Sequence, residues 1–365
     1  MMRRILVIAI ATVVSCLPSI SFAEVPWEAA DIPPGEILGD PEALGLGAPR
    51  SLRGGGARGT FGNPAALADI LRNAVVVDGS EGPNERYPML IPGFEVHLDG
   101  GHGLPQAIGY GHSFGRYALG VAFARTFRAS FEGQDPTFSA HAQFRIETYG
   151  IAGAWKANDW LSLGLSGRVA SGTGKETQTG PIDVEREDTQ LAYGGSVGAR
   201  GRWKRFDLAL LAEGGTNFKS ELVTLSFPET LTAHQPISVR LGGEFELHPL
   251  IHVVGEAAFM DRSHYGTPQA PDSYRSTLDG SVGVEVKPGS SSPLLLRAGV
   301  LRRTDPFNQG MALVDVGQTF LTGGLGVRTK GIQVDLAVAS SHVFEDVSNL
   351  EIEQTHWAAG IVVPF

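Results

Sequence analysis

Three kinds of residue pattern are scarce in this chain. Cysteine occurs once, at Cys16. After the first 23 residues, no uncharged apolar run approaches the roughly 20 residues that a transmembrane helix needs. Basic residues are outnumbered, with 29 Lys and Arg against 39 Asp and Glu, which gives a formal net charge of −10. These absences argue against a helical membrane protein and against nucleic acid as a partner.

The first 23 residues have the form of a secretory signal. A basic start at Arg3 and Arg4 precedes a short apolar run, and the small-residue sequence Ser21-Phe22-Ala23 closes the stretch. Cleavage after Ala23 would remove Cys16 and leave no disulfide or thiol chemistry. It would also take the net charge from −10 to −12, because the signal holds two arginines and no acid. The alternative is a lipoprotein signal with Cys16 as the lipidated residue.

The last twelve residues, Gln354 to Phe365, indicate how the rest of the chain is organised. Every second residue is apolar: Trp357, Ala359, Ile361, Val363 and Phe365. Period-two alternation predicts a strand with one apolar face. A terminal aromatic residue on such a strand is typical of an outer-membrane β-barrel, where it serves as the insertion signal that the assembly machinery recognises. We therefore assign that role to Trp357, Ile361, Val363 and Phe365; the alternative is a buried last strand of a soluble sandwich.

The same alternation runs through residues 88–365. Apolar residues such as Leu161, Leu163 and Leu165 alternate with small or polar ones, and tight connections alternate with long polar ones. Apolar-outside and polar-inside strands, joined by short turns at one end and long loops at the other, predict a transmembrane antiparallel β-barrel. Counting the strands between these connections gives about fourteen, which agrees with the even number of strands in such barrels.

Two details of the strand pattern are less regular. Near Phe144, Ile146 and Thr148 the apolar residues change parity before Tyr149, which predicts a β-bulge or two shorter strands. The polar face also carries both charge signs, which predicts a structural network inside the barrel rather than a selectivity filter. The inward charges are expected to be Arg145, Glu147, Arg168, Arg200, Arg240, Glu244, Glu256, Asp279, Glu285, Arg297, Arg328 and Asp335.

Residues 24–87 do not share this alternation. An acidic, proline-rich lead is followed by a glycine-rich stretch with Arg53, Gly54, Gly55 and Gly56, and then by Asn63, Pro64 and Ala65. Asn63 suits a helix N-cap and Pro64 the first helical position, so a short helix is expected. Because this helix has nowhere else to bury its apolar residues, we predict that the region forms a plug in the barrel lumen.

One apparent catalytic motif conflicts with its surroundings. Gly111, Ser113 and Gly115 match the G-x-S-x-G pattern of α/β-hydrolases, which requires a helix directly after the serine. Here Arg116 to Thr126 alternate with period two and predict a strand. His97, Asp99 and His102 lie near each other, but no further ligand follows at a fixed spacing. We therefore predict no enzyme, no metal site and no cofactor.

Taken in order, these features resemble the FadL family of outer-membrane transporters for long-chain fatty acids and other hydrophobic compounds. The resemblance is carried by the signal, by Arg58-Gly59 and Asn63-Pro64-Ala65, and by the final Phe365. It implies fourteen strands, an amino-terminal hatch inside the barrel, and passage of hydrophobic ligands past the hatch and sideways through the wall. The chain departs from the family in its acidic lead, Glu24 to Asp40, and in its compact loops.

The sequence thus predicts a channel in the outer membrane of a Gram-negative bacterium for passive uptake of hydrophobic small molecules such as long-chain fatty acids. Its expected partners are membrane lipids, the barrel-assembly machinery and a hydrophobic ligand. The alternatives are a non-transporting structural or assembly-partner barrel and a general porin.

Overall fold

The structure is a computed structural model, and it describes a defined part of the chain. Gly54, Gly55 and everything before residue 40 lie outside that part. The described residues are 40–53, 56–70, 72–88, 94–135, 138–179, 184–214, 217–220, 223–224, 227–228, 231–234, 237–261, 275–304, 318–329, 331–341 and 355–365.

Fourteen antiparallel strands form one closed barrel, which confirms the predicted fold class. Each strand pairs with its neighbour in sequence, and the last strand closes on the first. The barrel strands are β1 (Asn73–Pro88), β2 (Phe94–Phe114), β3 (Tyr117–Asp135), β4 (Phe138–Lys156), β5 (Leu161–Thr179), β6 (Val184–Trp203), β7 (Phe206–Gly214), β12 (Ile237–His248), β13 (Ile251–Asp261), β14 (Thr277–Val286), β15 (Leu294–Arg302), β16 (Thr319–Arg328), β17 (Gln333–Ser340) and β18 (Thr355–Pro364). Four short strands between β7 and β12 form two separate pairs, β8 (Asn217–Ser220) with β11 (Leu231–His234) and β9 (Val223–Thr224) with β10 (Phe227–Pro228).

The barrel begins earlier than the alternation predicted. The predicted start was residue 88, but β1 begins at Asn73 and includes residues 73–87, which were assigned to the lumenal region. The reason is barrel closure, since β1 has a ladder partner on both sides: Val77 pairs with Ile361 of β18 and with Ile108 of β2. Backbone hydrogen bonds to both neighbours stabilise β1 as a strand, although its sequence alternates only weakly between apolar and polar residues.

The last strand closes the barrel with its alternation intact. The backbone groups of Phe365 and Asn73 exchange two hydrogen bonds, with N···O distances of 3.1 and 3.2 Å. Trp357, Ile361 and Phe365 expose their side chains on the outer surface, and Val363 is half-buried on the same face. Their role as an insertion signal stays a prediction.

Large apolar side chains cover the outside of the barrel, among them Leu119, Ile151, Leu165, Leu241 and Leu336. Such a continuous belt is stable against lipid and costly against water. At the end with the short turns, the belt is bordered by aromatic residues, where the rings of Phe206 and Phe245 lie 4.7 Å apart and those of Trp160 and Trp203 stack at 5.2 Å. The short turns therefore mark one membrane boundary, which is the periplasmic one in such barrels.

The turn between β2 and β3 explains the apparent nucleophile motif. Ser113 lies near the end of β2, Gly115 occupies the turn with φ of +80°, and β3 starts at Tyr117. Glycine suits this left-handed conformation. The serine is followed by a strand, so the strand-to-helix geometry of a hydrolase is not present at this position.

The predicted parity change in β4 is wrong. β4 is one strand that pairs with β5 without interruption, and Ile146 and Thr148 are buried on the inner side. The irregularity belongs to β3, where the register with β4 shifts between Arg125 and Phe127. Because the inner face of β4 carries Ile146, its outer face carries Arg145 and Glu147, so these two charges do not belong to the lumen.

The amino-terminal residues form three short helical turns. These are α1 (Pro41–Leu44) and the 3₁₀ helices η1 (Gly56–Thr60) and η2 (Pro64–Asp69). Asn63 caps η2 and Pro64 is its first residue, as predicted. In the described part of the chain, no helix has both the length and the apolar composition to cross a membrane.

Candidate functional site

Residues 40–53 and 56–70, the described part of what we call the lumenal segment (residues 40–70), lie inside the barrel. The segment contacts every one of the fourteen barrel strands, from Arg58 against Asp78 of β1 round to Pro41 against Gly360 of β18. Its apolar residues are buried there; Leu46, Ala65 and Leu67 have no exposed surface. The segment thus packs against the whole inner circumference of the wall.

Glycines in the wall make room for this packing. On ten strands one glycine lies so close to the lumenal segment that an added Cβ would come within 3.0 Å of it. Real Cβ atoms essentially never come this close, so a larger residue at these positions would force the lumenal segment or its side chains to shift. We call this set the glycine ring: Gly111, Gly120, Gly150, Gly164, Gly198, Gly242, Gly283, Gly299, Gly324 and Gly360.

Asn63 forms hydrogen bonds through both the oxygen and the nitrogen of its side-chain amide. It is fully buried, and its Oδ1 accepts a hydrogen bond from the N–H of Ala65 at 3.0 Å. Its Nδ2 donates to the carbonyl of Ser51 at 2.9 Å and, at longer range, to wall carbonyls of Leu210 and Ala199. One side chain therefore caps η2, ties it to the preceding loop and holds both against β6 and β7.

Arg58 anchors the segment to the first strand. Its Nε and Nη2 donate to the two carboxylate oxygens of Asp78, at 3.0 and 2.7 Å. Its Nη1 lies 3.6 Å from the carboxylates of Asp40, Glu42 and Asp335. A planar guanidinium suits such a bidentate contact, and burial strengthens each charge-assisted hydrogen bond.

A second arginine, Arg53, extends the same charged cluster to the opposite wall. It contacts Glu42 at 3.2 Å, Glu244 at 3.3 Å and Glu285 at 3.8 Å. Arg297 of β15 connects both halves, because it lies 2.7 Å from Glu285 and 2.7 Å from Asp335. The cluster formed by these three arginines holds more acids than bases, and the acids are Asp40, Glu42, Asp78, Glu244, Glu285 and Asp335.

The excess of acid acts on the two carboxyls of the lumenal segment in opposite ways. Burial raises the pKa of the Asp40 carboxyl above its ordinary value, Arg58 opposes this, and Glu42 adds to it. Burial would raise the pKa of Glu42 as well, but Arg53, Arg297, Arg328 and Arg58 together outweigh it and hold that pKa well below its usual range. Of these two carboxyls, Asp40 is therefore the one that gains a proton first on acidification.

Further contacts fasten the segment at other heights. Ser51 donates from its N–H and its Oγ to one carboxylate oxygen of Glu256, at 2.6 and 2.5 Å. Asp69, at the end of η2, lies 2.8 Å from Arg200 and 2.6 Å from Arg202. A cavity of about 260 Å³ lies at the short-turn end; it is lined by Arg53, Glu244, Pro249, His252, Glu285, Lys287, Ser292, Pro293, Leu295 and Arg328.

The wall itself is interrupted between β2 and β3. The ladder that pairs Ala107 with Ala124 stops there and resumes only where His97 pairs with Ser130. Residues 98–106 of β2 therefore have no ladder partner on β3 among the described residues. Buried Gln106 borders the gap, where its Nε2 donates to the carbonyl of Arg125 at 3.4 Å and its Oε1 accepts a hydrogen bond from Ser80.

Solved structures with a similar fold include a FadL homologue, a hydrocarbon channel and a toluene transporter. A FadL homologue from Pseudomonas aeruginosa superposes with a TM-score of 0.66 at 14% sequence identity, covering 90% of this chain and 98% of that one. The CymD monoaromatic hydrocarbon channel gives 0.60 at 13% identity, covering 90% and 98% of the two chains. The toluene transporter TodX of Pseudomonas putida gives 0.59 at 13% identity, covering 88% and 96%.

The chain has the FadL fold. No family model and no curated protein matches the sequence, so the fold likeness stands on the structure.

Within this FadL fold, the residues predicted for a plug fall into three groups. Asn63, Pro64 and Ala65 contact Gly164 and Gly198 of the glycine ring. Arg53 belongs to the charged cluster. Gly56 has φ of +70° and begins η1, so it is required for its backbone conformation rather than for a contact.

Sequence reasoning missed most of the residues that fasten the segment. Arg58 was read as part of a motif and not as an ion-pair partner, and Asp40, Glu42, Ser51 and Asp69 were not singled out. Their partners lie far away in sequence; Ser51 and Glu256, for example, are 205 residues apart. The charged residues on the polar faces of the strands were the available signal, and among them Glu256, Glu285, Arg297 and Asp335 do face the lumen as predicted.

Proposed function

We propose that this protein is a channel for passive uptake of hydrophobic small molecules across the outer membrane of a Gram-negative bacterium. In this proposal the lumenal segment is a plug, and the ligand leaves through the interrupted wall between β2 and β3. The observation that carries the proposal is the contact of residues 40–70 with all fourteen strands, beside a wall whose ladder is broken at one place.

The chemistry of the lumen favours a sideways exit. Around the plug, the axial route is lined by buried ion pairs such as Arg58–Asp78 and Arg240–Glu256. An apolar ligand would have to displace these polar partners, whereas the bilayer offers it roughly 25 cal/mol for each Å² of apolar surface removed from water. A ligand at the wall gap reaches lipid without crossing the charged cluster.

The proposed ligand class rests on the names of the fold neighbours. Their names specify a toluene transporter and a monoaromatic hydrocarbon channel, alongside a FadL homologue. We propose hydrophobic small molecules such as long-chain fatty acids for this chain and assign no enzymatic role. Biogenesis would use the signal ending at Ala23 and the final strand, with Trp357, Ile361, Val363 and Phe365 presented to the assembly machinery.

The exit route can be tested by filling the gap. A Gln106→Trp variant places a large ring where Gln106 borders the interrupted ladder, and Gln318→Trp is a matched control because Gln318 is also a buried glutamine, but lies next to β16. Uptake of labelled fatty acid and of labelled toluene is measured in cells that produce equal amounts of folded barrel. We expect Gln106→Trp to lose uptake and Gln318→Trp to retain it.

The competing functions give different results in the same assay. Equal uptake in both variants would contradict the lateral exit, and leakage of small hydrophilic solutes through the unaltered protein would favour a porin. If the unaltered protein transports neither compound, a structural or assembly role becomes the better explanation. Gln106→Ala distinguishes a blocked exit from misfolding, because it removes the hydrogen bonds of Gln106 without filling the gap and should retain uptake.

A further inference from the structure

Two neighbouring arginines lie on the outer surface of the barrel, and one of them, Arg145, was expected in the lumen. Arg125 of β3 and Arg145 of β4 are exposed, and each alternates with buried inward neighbours such as Ala124 and Ile146. Glu147 shares their face. The three charges lie just beyond the contact between Phe123 and Tyr149, whose rings are 5.1 Å apart.

The three charges do not balance. Arg125 Nε lies 3.9 Å and Arg145 Nε lies 3.6 Å from the same oxygen of Glu147. Both distances exceed those of hydrogen bonds, so the single carboxylate attracts both guanidinium groups but saturates neither. About half of each arginine side chain is exposed, 45% for Arg125 and 53% for Arg145. The cluster therefore has one excess positive charge and available N–H donors.

Their height on the barrel places these donors at the edge of the lipid layer. Arg125 is eight residues beyond Tyr117, which starts β3 at the periplasmic boundary. With a rise of about 3.4 Å per residue and a strand tilt of about 40°, this is roughly 20 Å along the barrel axis, close to the apolar band of about 25 Å that such barrels present. The head groups of the outer leaflet lie at this level.

Hydroxyl groups on the next strand enlarge the polar surface. The register places Ser171 of β5 opposite Glu147 and Thr173 opposite Arg145. Both hydroxyl side chains are on the outer face and partly exposed. A group that bound between the arginines would thus meet further donors on its other side.

We propose that Arg125 and Arg145, assisted by Ser171 and Thr173, bind a phosphate group of an outer-leaflet glycolipid. The planar guanidinium forks match the oxygens of a phosphate, and the partly apolar surroundings strengthen the attraction. The excess positive charge and the position at the head-group level select an anionic lipid over a soluble anion. The bound lipid would border the wall gap, because the carbonyl of Arg125 accepts the hydrogen bond from Gln106.

The test measures lipid binding to the purified full chain in detergent. The probes are lipid A with its phosphates and the same lipid after enzymatic removal of the phosphates, and the readout is the occupancy seen by native mass spectrometry. The double variant Arg125→Gln/Arg145→Gln is compared with Arg302→Gln. Arg302 is an exposed arginine eight residues into its strand, as Arg125 is in β3, but on β15 and hydrogen-bonded to Thr319.

We expect phosphorylated lipid A to bind the unaltered protein and Arg302→Gln equally. The double variant should bind it roughly tenfold more weakly, the loss expected for one or two charge-assisted hydrogen bonds. Dephosphorylated lipid should bind all three proteins alike. Binding that is unchanged in the double variant, or unchanged by phosphate removal, overturns the proposal.

Two controls keep the result interpretable. The double variant Arg125→Lys/Arg145→Lys retains the positive charges but lacks the planar guanidinium groups, so it should bind the lipid with intermediate strength. It also tests whether the barrel tolerates substitution at these two positions. Inorganic phosphate is added as a competitor; complete competition at the same concentration as the lipid would show a simple anion site and contradict the lipid assignment. The assay needs no transport, so failure of the channel proposal leaves it unaffected.

Discussion

Arg58 and Asp78 form a bidentate ion pair between the lumenal segment and the first barrel strand, with N···O distances of 3.0 and 2.7 Å. Both residues are buried, and the sequence separates them by 20 positions. The pair joins a segment that carries no regular sheet structure to a wall that is all sheet. If the segment is a plug, this buried bidentate ion pair is a main point of its attachment to the wall.

The first prediction concerns removal of that attachment. Arg58→Gln leaves Asp78, Asp40 and Asp335 facing each other without their shared cation, and breaking a buried pair on one side costs roughly 3–5 kcal/mol. We expect the plug to detach in part of the molecules and stable conductance steps to appear in planar bilayers. The matched change Arg116→Gln, in the exposed turn between β2 and β3, should leave the bilayer silent. The double variant Arg58→Gln/Asp78→Asn should be less leaky than Arg58→Gln alone, since one uncompensated acid is removed with the cation.

The glycine ring gives a steric test that changes no charge. A Cβ at Gly164 would lie 2.3 Å from the backbone of Ala65 and Pro64, whereas a Cβ at Gly167, on the same strand, would meet nothing within 4 Å. Gly164→Val should therefore displace η2 and destabilise the plugged state by about 1–3 kcal/mol, the usual cost of overpacking. Increased hydrogen exchange of residues 56–70 would report the displacement. Gly167→Val should exchange like the unaltered protein; equal exchange in both variants would show that the packing is not what holds η2.

Asn63 offers a prediction about a single buried amide. Asn63→Ala removes the cap of η2 and leaves the Ser51 carbonyl without its donor, for a cost of about 1–2 kcal/mol. Asn63→Asp keeps the cap but loses the donor and adds a buried charge, so it should destabilise the plug more than Asn63→Ala does. Hydrogen exchange of residues 56–70 gives the order of the two variants. The reverse order would mean that the cap, and not the donation to Ser51 and the wall, is the main contribution of Asn63.

The pKa of Asp40 predicts how the plug responds to pH. Because that pKa is raised in the folded protein, the folded state takes up this proton more readily than the unfolded state, whose carboxyl has a pKa of about 3.9. Attachment should therefore strengthen as the pH falls from neutrality through the raised pKa, and weaken as the pH rises through it. The lowered pKa of Glu42 has the opposite consequence, because attachment weakens when this carboxylate gains a proton. That loss occurs only as the pH falls below the ordinary pKa of a carboxyl group. Hydrogen exchange of residues 40–53 between pH 8 and pH 5 should slow on acidification, and Asp40→Asn should reduce this dependence.

The strand pattern was predictable because it is local. Alternation along Leu161 to Leu165 or Trp357 to Phe365 needs no knowledge of the neighbouring strand, and it led to the right number of strands. The placement of Arg145 and Glu147 was wrong because Ile146 was assumed to face lipid. The extra residue that shifts the register lies in β3, near Arg125, and only the pairing of β3 with β4 shows it.

The site was harder to predict because its contacts are non-local. Asn63 and Pro64 were recognisable as the start of a helix, since a cap and a first-turn proline are neighbours in sequence. The closeness of Gly198 to Asn63, and of Glu256 to Ser51, depends on which strand faces which part of the lumenal segment. That arrangement follows from the closed barrel as a whole. The many glycines of the sequence could be counted, but their alignment into a ring could not.

The conductance of the refolded barrel in planar bilayers, with and without residues 40–70, tests the central claim most directly. The full chain should insert and show no stable open channel, because the lumenal segment contacts the entire wall. The deleted chain should form a folded barrel with large, stable conductance steps. Stable open channels of equal size in both proteins would show that the segment does not close the lumen, and the plugged-channel account would then be wrong.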